Sequence, residues 1–144
     1  LKELGLDGLS KKLDINYLKL KFKNRNSNIK NILLNQKIIS GIGNIYASEI
    51  LYRSNIDPLK KARCLNDIEL KKLRRQIFEV LKEAVKNGGT TIKDFRQPSG
   101  KLGYFQQKLN VYGRDGLNCF NCNTKVILIR ISNRATYFCP KCQS

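Results

Sequence analysis

Four cysteines near the end of the chain place the tightest limit on what it can fold into. Cys119 and Cys122 form one Cys-x-x-Cys pair and Cys139 and Cys142 a second, with sixteen residues between the pairs. Each short turn can set two sulfurs on one edge of a tetrahedron, and this spacing is that of a four-thiolate zinc ribbon. Between the pairs, Val126, Leu128 and Ile131 alternate as one strand, Ser132-Asn133 reads as a turn, and Thr136, Tyr137 and Phe138 read as the returning strand. So short a segment builds little core, and one Zn2+ held by Cys119, Cys122, Cys139 and Cys142 is expected to take its place. Four thiolates leave no open coordination position, so the metal is read as structural. Two disulfides are the competing reading; the chain opens on no secretory signal pattern and holds a fifth cysteine, Cys64, which both count against it. Cys64 is expected to be a small apolar side chain.

The charge balance narrows the partner. Lys and Arg number 28 against 11 Asp and Glu, a formal +17, and such an excess repels itself unless a polyanion is near. Nucleic acid is the expected partner, with a merely solvated basic surface as the alternative. The basic residues are spread along the chain and not gathered on one amphipathic helix, which argues against a membrane surface. No apolar run approaches the ~20 residues of a membrane span. With hydrophobic residues at 41%, the 144-residue chain suffices for one domain or for two small modules. It contains no Met, and is therefore expected to be a fragment or a processed product.

The pattern along the chain is mainly helical before the ribbon. Residues 1–12 show little periodicity and hold Gly5 and Gly8, as a linker from another domain would. A basic helix follows, capped by Asp14, with Tyr17, Leu18 and Phe22 inward and Lys19, Lys21, Lys23 and Arg25 outward. Residues 29–54 read as two short helices joined by a glycine turn. Ile29, Ile32, Leu33 and Gln36 lie near one face of the first; Ile45, Ala47, Ile50 and Leu51 fall in the second. Gly41 and Gly43 are expected to take conformations closed to other residues, and Asn44 to serve as the N-cap of the second helix. The free N–H groups behind such a cap make a seat for a phosphate. An ordinary capped hairpin would look the same.

The strongest helical signal runs from Asn66, in a capping box with Glu69, through Ile68, Leu73, Ile77, Val80, Leu81, Ala84 and Val85 to a stop at Gly88-Gly89. Leu73, Ile77 and Leu81 are expected in the core. A polar stretch with Pro98, Ser99, Gly100 and Gly103 follows, either a functional loop or a surface connection. Past the ribbon turn, Arg134 is placed where a guanidinium can reach a phosphate, or simply solvent.

Several runs combine into a resemblance. The segment from Lys30 to Gln36, the run Gly41-Ile42-Gly43-Asn44-Ile45-Tyr46-Ala47-Ser48-Glu49, and the loop Gly88-Gly89-Thr90-Thr91 are three of them. The others are Gly103-Tyr104-Phe105-Gln106-Gln107 with Val111-Tyr112-Gly113-Arg114, and Arg134-Ala135-Thr136-Tyr137-Phe138-Cys139-Pro140. In order and over nearly the whole chain, they resemble the C-terminal half of formamidopyrimidine-DNA glycosylase. The resemblance implies a fold that is mainly α with a small β-hairpin zinc ribbon. Residues 1–12 would be a linker from an N-terminal catalytic domain, 13–113 a helix-two-turn-helix DNA-binding domain with a lesion-covering loop at 90–103, and 114–144 the zinc finger. It implies base-excision repair of oxidised purines such as 8-oxoguanine and formamidopyrimidines, followed by strand cleavage at the abasic site. The partners it implies are double-stranded DNA with oxidised purines or abasic sites, and the N-terminal catalytic domain. A monomer in the cytoplasm, associated with the bacterial nucleoid, is expected.

Carried over by position, the resemblance implies that Lys30, Asn44 and Arg134 hold phosphates around an extruded nucleotide. Gly43 lies at the same turn, Tyr112 makes a further backbone contact, and Lys93 stands in the covering loop. Extrusion exposes phosphates, and donors on separate rigid elements can grip a kinked backbone. The family's nucleophile is an N-terminal proline, but Pro58, Pro98 and Pro140 are internal, and their nitrogens are tertiary amides without a usable lone pair. No catalytic residue is therefore assigned. Asn35, Leu102 and Tyr137 depart from the residues usual in the family, which bears on local packing and loop shape more than on the clamp. Two other readings stay open: a stand-alone zinc-ribbon module for DNA or structured RNA, and a zinc-dependent protein–protein adaptor.

Overall fold

A computed structural model of the chain describes residues 4–86 and 109–144. The expected glycine stop at 88–89, the covering loop at 90–103 with Lys93, and the run at 103–107 lie outside the described residues.

Local signals set the helices. The Asp14 carboxylate accepts the Tyr17 N–H at 2.9 Å and starts α1, Ile15–Phe22, which buries Leu18 and Phe22. Tyr17 is half-buried, and its hydroxyl donates to Ile38 O at 2.6 Å. Asn28 caps α2, Ile29–Leu34, by accepting the Asn31 N–H at 2.8 Å. In α4, Asp67–Lys86, the capping box is present in both directions: Glu69 accepts from the Asn66 N–H at 2.9 Å and Asn66 from the Glu69 N–H at 2.8 Å. The α4 core stripe is Leu70, Leu73, Ile77, Val80, Leu81 and Ala84. Ile68 and Val85, expected in that stripe, are exposed. Ile68 precedes Leu73 by five residues, which is ~140° around a helix, and so it points to solvent.

The turn between α2 and α3, Asn44–Arg53, is built differently from expectation. Gln36 lies beyond α2, and its side-chain amide braces the turn, accepting the Gly41 N–H at 2.9 Å and donating to Ile42 O at 3.1 Å. Gly41 has φ +98° and needs the freedom of glycine. Gly43 does not: its φ is −97° with ψ 179°, an extended conformation, and it is Gly43 that occupies the N-cap position, without a side-chain cap. Asn44 is instead the first residue of α3, which releases its side chain for other work.

Residues 4–12, expected to be a linker, are packed into the helical unit. Strand β1, Leu6–Asp7, runs parallel to β2, Ile39–Ser40. The Gly5 N–H donates to Gln36 O at 2.7 Å and the Gly8 N–H to Ser40 O at 3.2 Å. A Cβ on Gly5 would sit 2.2 Å from the backbone carbon and oxygen of Ile38. One continuous core joins Leu13, Leu18 and Phe22 to Ile29, Leu33, Ile39, Ile50, Leu51, Leu73 and Ile77.

The C-terminal ribbon pairs β3, Ile127–Ile131, with β4, Arg134–Phe138, antiparallel and with Ile131 opposite Arg134. Ser132 and Asn133 take φ of 51° and 65°, the left-handed pair that a two-residue hairpin turn requires. Val126 and Ile131 are buried; Leu128, read in the same alternation, is 42% exposed. A two-stranded ribbon has too little behind it to cover every apolar residue.

Because the Gly5 contact is with backbone, Gly5→Ala forces main-chain movement and is expected to cost about 1–3 kcal/mol, as overpacked sites do. Urea unfolding of the two proteins measures it; equal midpoints would show that the segment is not packed in solution.

Candidate nucleic-acid interface

The ribbon lies against α3 and is tied to the helical unit at both ends. Near the metal-binding end, the Tyr52 hydroxyl is 3.1 Å from Cys119 Sγ, and buried Gln143 donates to Ile56 O at 3.0 Å while accepting the Cys139 N–H at 2.8 Å. Burial first, and the Cys119 sulfur next, hold the Tyr52 hydroxyl above the ordinary phenol range. At the hairpin end, Asn31 Nδ2 donates to Ser132 Oγ at 3.0 Å.

Lys30 makes the central tie. Its residue is 0% exposed. The ammonium meets three oxygens: Asn44 Oδ1 at 2.5 Å, Thr136 Oγ1 at 2.8 Å and Ala135 O at 3.2 Å. Asn44 Nδ2 donates to the same Ala135 O at 3.0 Å. Burial, and secondarily the Arg134 guanidinium, lower the Lys30 ammonium to about 8. Arg134 itself is exposed, at the first position of β4. The structure thus brings together Lys30, Asn44 and Arg134 from three elements, with Arg134 facing solvent and Lys30 enclosed.

Tyr112 joins the same side of the molecule. Its ring meets that of Tyr137 on β4 edge-on, 4.7 Å between centroids, and packs on Ile45 of α3 and Leu109. The segment before it is held by Glu49, 2% exposed, whose carboxylate accepts the N–H groups of Asn110 at 2.7 Å and of Val111 and Tyr112 at 2.9 Å each. Gly43 stands exposed at the start of α3, where an added Cβ would meet open space. Glu49 and Tyr52 have roles that the sequence reading missed. An acid among the apolar residues Ile45, Ile50 and Leu51 is a usable signal for Glu49; Tyr52 offers none, since its partner lies 67 positions away.

The four ribbon cysteines fit a metal. Their Sγ atoms all lie within 4.8 Å of one another, with Cys119 to Cys142 at 3.8 Å and Cys122 to Cys139 at 3.4 Å. A tetrahedron with metal–sulfur bonds of ~2.3 Å has edges of ~3.8 Å. A disulfide at ~2.05 Å does not fit these distances. The N–H groups of Asn121 and Cys142 point at Cys119 Sγ (3.4 Å) and Cys139 Sγ (3.3 Å), which favours thiolates. Cys64, expected to be an apolar filler, is exposed. It sits at the end of a short 3-10 turn whose buried residue is Ala62.

Two outcomes follow. Stripping the metal with a chelator is expected to unfold the chain from about residue 118 onward and to spare most of the far-UV helical signal; loss of all helical signal would contradict it. For Lys30 the folded pKa is about 8 against an unfolded value of ~10.4. Below pH 8 both states hold the proton and the cost of burying it is fully present. Between pH ~8 and ~10.4 the unfolded chain binds more protons, so stability relative to Lys30→Met is expected to rise with pH. Urea midpoints of both proteins from pH 7 to 10 measure it, and a flat difference would contradict it.

The H2TH domain of formamidopyrimidine-DNA glycosylase matches residues 4–96. The formamidopyrimidine-DNA glycosylase of Wolbachia pipientis is 48% identical over 98% of the chain and 52% of its own length. That of Rickettsia canadensis is 46% identical over 97% and 51%. Among solved structures, the Lactococcus lactis Fpg in complex with abasic-site DNA superposes with a TM-score of 0.89 at 33% identity, covering 99% of this chain and 52% of that one. MutM in complex with carbocyclic 8-oxo-G DNA gives a TM-score of 0.85 at 33% identity, covering 99% and 51%. The chain spans about half the length of these relatives. With its H2TH helices and four-cysteine finger in the same order and arrangement, the chain belongs to the formamidopyrimidine-DNA glycosylase family.

Proposed function

We propose that this chain is the damaged-DNA-binding half of a base-excision repair glycosylase and AP lyase. The observation that carries the reading is one buried ammonium bonded to Asn44 on α3 and to Ala135 and Thr136, the two residues after Arg134, on β4, in a chain of formal charge +17. Two polar donors on separate rigid elements suit a kinked backbone, where phosphates on either side of an extruded nucleotide stand apart. The spread positive charge supplies sequence-independent affinity and the clamp supplies geometry. Tyr112 is a further backbone contact, supported by its place beside Tyr137.

The four cysteines hold one structural Zn2+; all-thiolate ligation and tetrahedral spacing favour zinc. The substrates are DNA with oxidised purines, 8-oxoguanine and formamidopyrimidines, and abasic sites. In support, the relatives of known structure are in complex with abasic-site, FAPY-dG and 8-oxo-G analogue DNA. Imine chemistry at an N-terminal proline belongs, in this reading, to a catalytic domain that supplies the other half of the relatives' length. The protein acts as a monomer, in the cytoplasm on the nucleoid.

Equilibrium binding to two duplexes that differ only in a stable abasic-site analogue tests the reading at fixed salt. Wild type is expected to prefer the abasic duplex, and Asn44→Ala and Arg134→Ala each to lose on the order of tenfold of that affinity, the scale of one hydrogen bond to a charged group. Equal binding of both duplexes by wild type would overturn it.

A further inference from the structure

We propose that Lys30 is a positioning residue of the clamp, acting through Asn44 and Arg134, and not a ligand of phosphate. The inference deepens the DNA-clamp reading above and rests on it for its DNA arm.

The geometry leaves the ammonium nothing to offer a ligand. It has three protons and no lone pair, and three protein oxygens already stand within hydrogen-bond distance. The residue is 0% exposed, so no phosphate reaches it without breaking the contact between α2 and β4. Its influence on the surface passes through its partners. An ammonium can only donate, so the atom of Asn44 facing it must be the oxygen, which settles which way the amide lies. One Nδ2 proton then goes to Ala135 O, and the second is left for a ligand. On the other side, the bonds to Ala135 O and Thr136 Oγ1 fix the strand just after Arg134, and Thr136 Oγ1 also donates to Arg134 O at 3.2 Å. One buried cation thereby sets the donor direction of Asn44 and the exit point of the Arg134 side chain. Preorganised donors bind more tightly because their ordering is complete before the ligand arrives.

The salt dependence of binding separates the two roles. A lysine that neutralises a phosphate contributes roughly 0.9 to the slope of log K against log salt, whereas a positioning residue contributes none. Lys30→Met keeps the length of the stem and removes every donor. It is expected to lower affinity for the abasic duplex about tenfold with the slope unchanged, and Lys30→Met with Asn44→Ala is expected to bind no more weakly than Asn44→Ala alone. A slope lower by about one, additive losses, or no loss at all would each overturn the proposal.

Two measurements without a DNA partner keep it decidable. In the free protein the Asn44 side-chain amide is expected to give a dispersed NMR proton pair that collapses toward the solvent-exposed position in Lys30→Met; an unmoved pair would overturn it, whatever DNA the chain prefers. In the unsubstituted protein, the Lys30 ammonium protons are expected to be protected from exchange, and rapid exchange with solvent would overturn it even if Lys30→Met does not fold. Failure of the repair reading has a different signature, namely equal binding of both duplexes by wild type.

Discussion

A lysine with no solvent exposure constrains everything around it. Removing an ammonium from water costs several kcal/mol after relaxation, and the cost is tolerable only when hydrogen bonds replace the lost hydration. For Lys30, two of the three replacement oxygens come from β4, more than a hundred positions away in the chain. The helical hairpin therefore depends on the ribbon to satisfy its own core, and the ribbon depends on its metal to exist as a hairpin. Metal binding and clamp geometry are thus linked through the Lys30 ammonium and the Asn44 amide, which share Ala135 O of the ribbon.

Glu49 repeats the device with the opposite sign. A carboxylate at 2% exposure is satisfied by three consecutive backbone N–H groups, and the segment carrying Tyr112 is drawn onto α3. Buried charges of this kind add little net stability, since their desolvation offsets most of what their bonds contribute. They add specificity of arrangement, because each is satisfied in one geometry only. Together Lys30 and Glu49 place β4 and the Tyr112 segment against one side of α3, where the exposed donors stand.

What was legible in the sequence follows the range of the interaction that fixes each feature. The Asn66–Glu69 box, the Asp14 cap, the Ser132-Asn133 turn and the paired cysteines are each settled within a few residues, and they stand in the structure as read. The Gly43 and Asn44 assignment missed by one position because a cap is defined by backbone angles that glycine leaves open. Residues 4–12 read as a linker because two-residue strands have no period, and only the close approach of Gly5 to Ile38 reveals their packing. Lys30 stood out as a candidate through resemblance alone. Its burial was not, since nothing local to α2 announces that β4 will cover it.

Leu128 and Thr136 stand on opposite faces of the ribbon, since Leu128 pairs with Tyr137 and Thr136 with Ile129. A ribbon of two strands has two faces; one carries Tyr137 against Tyr112, and the other has as its neighbour α3 with the start of α2. The face turned to that neighbour carries Thr136, buried and bonded to an ammonium, and so it is polar at its centre. The fully buried apolar residues of the ribbon, Val126 and Ile131, stand at its ends. A conventional apolar contact would cover more surface and let the two parts slide, because apolar packing has no directional requirement. A contact centred on Lys30, Asn44 and Thr136 covers less and fixes the register, because displacement of about an ångström breaks two charge-assisted bonds and one amide hydrogen bond at once. For the clamp proposed above, fixed register matters more than buried area.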